Sequence, residues 1–85
     1  MNNHEKLKKV LKEIFNEEYT KIKPGSDFKE LSSWDSLKYV TLVVAIQSEF
    51  EVELSMEQIQ LLSTLDGLVK GLIEHGKLEP EYCYE

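Results

Sequence analysis

An all-α fold, a bundle of four roughly antiparallel helices with a long first connection and a short third helix, is predicted by three observations. Near both ends of the chain, apolar residues recur at i, i+3, i+4, i+7 and i+8, the spacing of an amphipathic helix. A third, more apolar stretch opens at Asp35-Ser36-Leu37 after a connection broken by Pro24-Gly25. Turn and cap residues then punctuate the rest of the chain, and no sustained period-2 pattern competes. Eighty-five residues make one small domain with a thin core, burying only about 60–65% of the unfolded surface.

The first helix is predicted over residues 4–18, with Leu7, Val10, Leu11, Ile14 and Phe15 as its stripe and lysines and glutamates on its other faces. His4, at its start, is assigned to solvent. Residues 19–35 form a connection too long to be casual, since structureless loops of this length are either functional or disordered. Phe28 and Leu31 argue against disorder, as anchors that pin the loop to the core; Ser32 or Ser33 reads as a cap for a short turn.

The second helix, residues 36–50, directs Tyr39, Leu42, Val43, Ile46 and Phe50 to the core. Its opposite side carries Leu37, Thr41, Val44 and Ser48 in a row, with Val40 at the edge, where a plain surface helix would carry charges. That side is read as a docking face. Residues 49–54 alternate like a strand but have no partner strand, and are read as a loop. Ser55 and Gln58 make a capping box that opens a third helix ending near Leu62. Ser63-Thr64 caps a fourth with the stripe Leu65, Leu68, Val69, Leu72 and Ile73, stopped at Gly76. The domain is expected over residues 1–77, with 78–85 a flexible tail onto which Tyr82 and Tyr84 can fold back.

Bulk properties narrow the function. Composition is that of a soluble globular domain, 41% hydrophobic and 31% charged. A net charge of -6 disfavours nucleic acid and anionic membranes. It is uneven: residues 4–23 carry six lysines against four glutamates, whereas residues 24–85 carry four lysines against twelve acids. Cys83, the only cysteine, excludes an internal disulfide. The polar amino terminus and the short apolar runs make a cytoplasmic monomer the expectation. No His, Cys and acid cluster has metal spacing, no serine or cysteine has an evident base beside it, and paired acids such as Glu17-Glu18 read as solvated surface. Catalysis by the bare polypeptide is not expected. Ser36 is the exception to this plain inventory, because a hydroxyl at a helix start meets free backbone N–H groups and a dipole that favours phosphate.

Taken together, the pattern resembles the acyl carrier proteins over nearly the whole chain. It comprises a first amphipathic helix, a loop with Phe28 and Leu31, Asp35-Ser36-Leu37 opening a second helix, then Val40, Leu42, Val43, Ala45, Ile46, Glu49-Phe50, Val52-Glu53-Leu54, and the caps at Ser55 and Thr64. The resemblance implies a bundle of acyl-carrier-protein type and 4′-phosphopantetheine joined to Ser36 by a phosphodiester, with Asp35 and Leu37 beside it. It implies an acyl or aminoacyl thioester as cargo. The implied partners are a phosphopantetheinyl transferase, an acyl- or aminoacyl-loading ligase, and a downstream acyltransferase or synthase. Leu37, Val40, Thr41, Val44 and Ser48 would meet partners, and Phe28, Val43, Ile46, Ile59, Leu62 and Leu68 would line an acyl cavity. The approach is Ser33-Trp34-Asp35-Ser36 rather than the Gly-x-Asp-Ser of primary fatty-acid carriers, and Lys38, Thr41, Gln47 and Ser48 stand where those carriers have acids. This variant resembles carriers of specialised pathways. The alternative is a non-covalent helical interaction domain docking through the Leu37/Val44 face.

Overall fold

The computed structural model describes residues 2–82, in which four α-helices follow in the predicted order: α1 (Asn3–Phe15), α2 (Ser36–Phe50), α3 (Met56–Gln60) and α4 (Leu65–Glu74). The Asn2 side chain caps α1 by accepting from the Glu5 amide, and the helix buries the expected stripe of Leu7, Val10, Leu11, Ile14 and Phe15. It ends at Phe15, three residues before the predicted end. No apolar residue continues the stripe at position 18, and Asn16 turns to φ 52°, ψ −120°. The chain then tightens into a 3-10 helix, Asn16–Lys21.

The long connection is therefore not structureless. A turn at Pro24-Gly25, with Gly25 at φ 86°, is closed by the Ser26 amide on the Lys23 carbonyl and by the Lys23 amide on Ser26 Oγ at 2.8 Å. A second short 3-10 helix, Phe28–Glu30, is capped by Asp27. Phe28 is fully buried and Leu31 packs against the core, as expected of anchors, and Ile22 is a third that the sequence did not single out. The loop is also stitched to the far end of the chain. Asp27 pairs with Thr64 in an isolated antiparallel bridge, and the Leu65 amide donates to the Ser26 carbonyl at 3.0 Å.

Helix α2 has the predicted bounds and buries Leu42, Ile46 and Phe50, with Tyr39 and Val43 half-buried at the edges of that face. It is antiparallel to α1: Lys38 near its start reaches the Ile14 carbonyl, and Phe50 at its end lies under Lys6. Glu51 stops it in the left-handed region at φ 54°. The Ser55–Gln58 capping box opens a short α3 as predicted, and at Gln60, two residues before the expected end, it passes into a 3-10 turn, Leu61–Ser63. Thr64 caps α4 by accepting from the Gly67 amide. At Gly67 the start of α4 passes close to the preceding turn, since a Cβ there would collide with the Leu61 carbonyl oxygen. Gly76, at φ 72°, ends the helix.

Two expectations for the termini change. His4 is not simply solvated, because it is half-buried and meets Tyr82 edge-on at 4.5 Å. Leu78, assigned to the tail, is buried in the core, and Asn3 Nδ2 donates to the neighbouring Lys77 carbonyl at 2.7 Å. Cys83 and Tyr84 lie outside the described residues. Among the described residues, no helix is long and apolar enough to cross a membrane.

Candidate functional site

Ser36 is the first residue of α2, and Asp35 before it is the cap. The Asp35 backbone is extended, its carboxylate accepts from the Lys38 amide at 2.7 Å, and its carbonyl accepts from the Tyr39 amide. This leaves the Ser36 and Leu37 amides, and the exposed Ser36 hydroxyl, with no hydrogen-bond partner among the described residues. Two unspent N–H groups at the positive end of a fifteen-residue helix, beside a free hydroxyl, suit a phosphodiester on that oxygen. The residues present thus fit the phosphopantetheine that the sequence implied.

Three contacts hold Asp35-Ser36 in place. Trp34 sits in a cluster of rings, stacked on Phe15 at 6.2 Å, tilted to Phe28 at 5.8 Å and edge-on to Tyr39 at 5.9 Å. Phe15 and Phe28 are themselves 5.0 Å apart. Aromatic pairs with such centroid spacings add to the energy of burial, so the last side chain before the cap is wedged rather than loose. Second, Glu18 clasps the loop, accepting from the Ser32 amide and hydroxyl and from the Ser33 amide, each at 3.0 Å. Hydrogen bonding from Ser33 and Ser32 holds the Glu18 carboxyl at about 2, below the ordinary 4.5. This carboxylate belongs to the pair read as solvated surface, and Ser32 and Ser33 are its ligands rather than caps. Third, the Lys38 ammonium donates to the Ile14 carbonyl at 2.7 Å and lies 6.0 Å from the Phe15 ring centre. A cation at the negative end of α1 is favourable, and it ties the two helix ends together beside Ser36.

The expected outer face of α2 is on the surface. Leu37 is 73% exposed, Val44 58% and Val40 54%, and Thr41 and Ser48 are also exposed. The Thr41 hydroxyl is spent on the Leu37 carbonyl at 2.9 Å. Gln47, one of the residues standing where acids were expected, instead accepts from the Leu54 amide at 3.0 Å and fixes the chain after α2. Of the residues expected to line an acyl cavity, Phe28, Ile46, Leu62 and Leu68 are fully buried in one core, with Val43 and Ile59 half-buried against it. Tyr39 Oη bonds the Ile59 carbonyl at 2.6 Å and joins α2 to α3. The rings of Phe15, Phe28, Trp34 and Tyr39 concentrate at the end of this core nearest Ser36. Among the described residues, no group of His, Cys, Asp and Glu has the arrangement of a metal site.

Residues 5–72 match the family model described as "Phosphopantetheine attachment site". The chain is 41% identical over 78 residues to the acyl carrier protein of Buchnera aphidicola subsp. Schizaphis graminum (strain Sg), an alignment covering 91% of this chain and 99% of that protein. No solved structure gives a significant match. With the family pattern running through most of the sequence and a relative aligned over almost its full length, the chain belongs to the acyl carrier protein family, carriers rather than catalysts, which hold acyl groups on covalently attached 4′-phosphopantetheine.

Proposed function

We propose that Ser36 is the residue that bears the arm, and that α2 presents the cargo to partner enzymes through Leu37, Val40, Thr41, Val44 and Ser48. The observation that carries this reading is the free hydroxyl of Ser36 next to the unspent Ser36 and Leu37 amides. Asp35 fixes the helix start, the two amides stabilise phosphate charge, and Leu37 offers a transferase an apolar grip beside the hydroxyl. When bound, the arm supplies a thiol that holds the acyl group as a thioester. Incubation with coenzyme A and a broad-specificity phosphopantetheinyl transferase, followed by intact mass and peptide mapping, tests the site. The gain of one arm, on the peptide containing Ser36, is expected; an arm on any other residue overturns the assignment. No gain at all would favour a domain that docks non-covalently through the Leu37/Val44 face.

The pathway served is a specialised one rather than primary fatty-acid synthesis. Support comes from Lys38 and Gln47, which have structural duties in place of steering charge, and from the uncharged Thr41 and Ser48 on the same helix. Exposed acids remain farther along, at Glu49, Glu51, Glu53 and Glu57. Charge on an interface rim governs encounter rate and salt dependence more than the docked state. Primary fatty-acid synthesis enzymes should therefore turn this carrier over poorly; turnover equal to that of their own carrier, falling steeply with salt, would refute the reading.

Shelter for an apolar cargo among Phe28, Val43, Ile46, Ile59, Leu62 and Leu68 is part of the same proposal. Those residues are packed together here, so a chain entering between them has to part α2 from α3. A thermal midpoint that rises with acyl length supports entry, and one independent of length refutes it.

A further inference from the structure

We infer that the groove between α1 and α2 is a seat for this chain's own 4′-phosphopantetheine arm when it carries no cargo or a short one. This rests on the assignment of Ser36 as the attachment point. The groove has a volume of about 610 Å³ and opens at Asp35 and Leu37, the two neighbours of Ser36. It runs along α2 to Ala45 and Glu49, with Val10 and Ile14 as its opposite wall. The volume falls within the ~300–1,000 Å³ usual for small-molecule sites.

Length decides whether the arm fits. Ala45 lies nine residues beyond Ser36, which is ~13 Å along a helix. From phosphorus to sulfur the arm has about thirteen bonds, and an extended chain advances ~3.5 Å for every three, giving ~15 Å. An arm laid in the groove brings its thiol level with Ala45, with no part overhanging.

Chemistry agrees along the path. The arm's geminal methyls and methylenes find Val10, Ile14 and Ala45, while its two amides need polar partners. Lys38 lines the groove and has given one ammonium N–H to the Ile14 carbonyl, so two remain for an arm carbonyl. Asn16 lines it as well, and its side-chain amide makes no hydrogen bond among the described residues. Its backbone, at φ 52°, ψ −120°, is in a region costly for a residue with a Cβ, and such strain collects at ligand clamps. On the α2–α3 side, Ile46 and Leu62 are fully buried.

The test uses the full chain loaded from coenzyme A whose pantetheine is carbon-13 labelled, with intact mass recorded before any spectrum. Nuclear Overhauser contacts are expected from the geminal methyls to the methyl group of Ile14, and from the methylenes nearest the thiol to the methyl groups of Val10 and Ala45, with shifted amides at Asn16 and Thr41 relative to the unloaded protein. Ala45→Phe, which fills the groove, should remove those contacts from the loaded protein; contacts that survive it overturn the seat. A loaded arm whose only effects lie at residues 34–37, or whose contacts are to Val43 and Ile59, overturns the seat and leaves Ser36 as the attachment point. A chain that gains no arm in the mass measurement overturns both.

Discussion

Replacing Ser36 and Asp35 separately should divide the chemistry of this site from its stability, because neighbouring side chains do the two jobs. The Ser36 hydroxyl makes no bond among the described residues, and alanine is the best residue for a helix position. Ser36→Ala should therefore abolish arm attachment while moving stability by no more than ~0.5 kcal/mol, the range of surface changes that break nothing. Asp35→Ala removes the carboxylate that accepts from the Lys38 amide at 2.7 Å. Loss of such a cap costs about 1 kcal/mol, within a range of ~0.5–2. In a domain of this size that lowers the thermal midpoint by roughly 4–8 °C. Asp35→Ala should still accept the arm, more slowly, since its serine is intact but its helix start is frayed. The assay pairs intact mass after transferase treatment with thermal unfolding followed by circular dichroism. A Ser36→Ala protein that still gains the arm refutes the attachment site. One that melts as early as Asp35→Ala shows that the serine, and not the aspartate, holds the helix start.

Three further outcomes follow from the same geometry. Val44→Glu should weaken binding of the cognate partner about tenfold, since Val44 is 58% exposed on the proposed docking face and would lose ~1 kcal/mol of apolar burial while adding a carboxylate to desolvate; unchanged affinity by calorimetry would move the interface elsewhere. In α4, Gly67→Ala should destabilise despite the ~1 kcal/mol that alanine gains over glycine in a helix, because the new methyl meets the Leu61 carbonyl, whereas Gly71→Ala, with nothing within 4 Å, should be neutral or stabilising; equal midpoints for the two would refute the close approach of α4 to the Leu61 turn. Glu18 has a folded-state pKa of about 2 against 4.5, so its contribution is fully present above about pH 5 and fades as pH falls towards 2, kept small by solvent screening; Glu18→Gln should flatten the acid limb of a midpoint-against-pH curve in that window, and an unaltered limb would show that the clasp contributes nothing.

The sequence by itself determined the parts of this protein that depend on residues four or fewer positions apart. Periodicity of apolar residues defined the buried faces of α1 and α4, and the full extent of α2 from Ser36 to Phe50. Side-chain caps at Ser55 and Thr64, and the glycine stop at Gly76, act within a single turn and were equally legible. Ser36 stood out for the same local reason, as a hydroxyl where a loop becomes a helix, and the exposure of Leu37 and Val44 follows from their angular positions. Tertiary structure alone decided what holds that serine in place. Glu18 meets Ser32 and Ser33 across fourteen and fifteen residues, Lys38 reaches back twenty-four to Ile14, and Trp34 joins rings from α1, the loop and α2. None of these pairs leaves a periodic trace, because a single charge or ring has a partner only once packing brings distant segments together. For the same reason Glu18 read as solvated, Leu78 as tail and the α1–α2 groove as nothing at all: burial and concavity belong to two surfaces meeting, and a one-dimensional pattern describes only one of them.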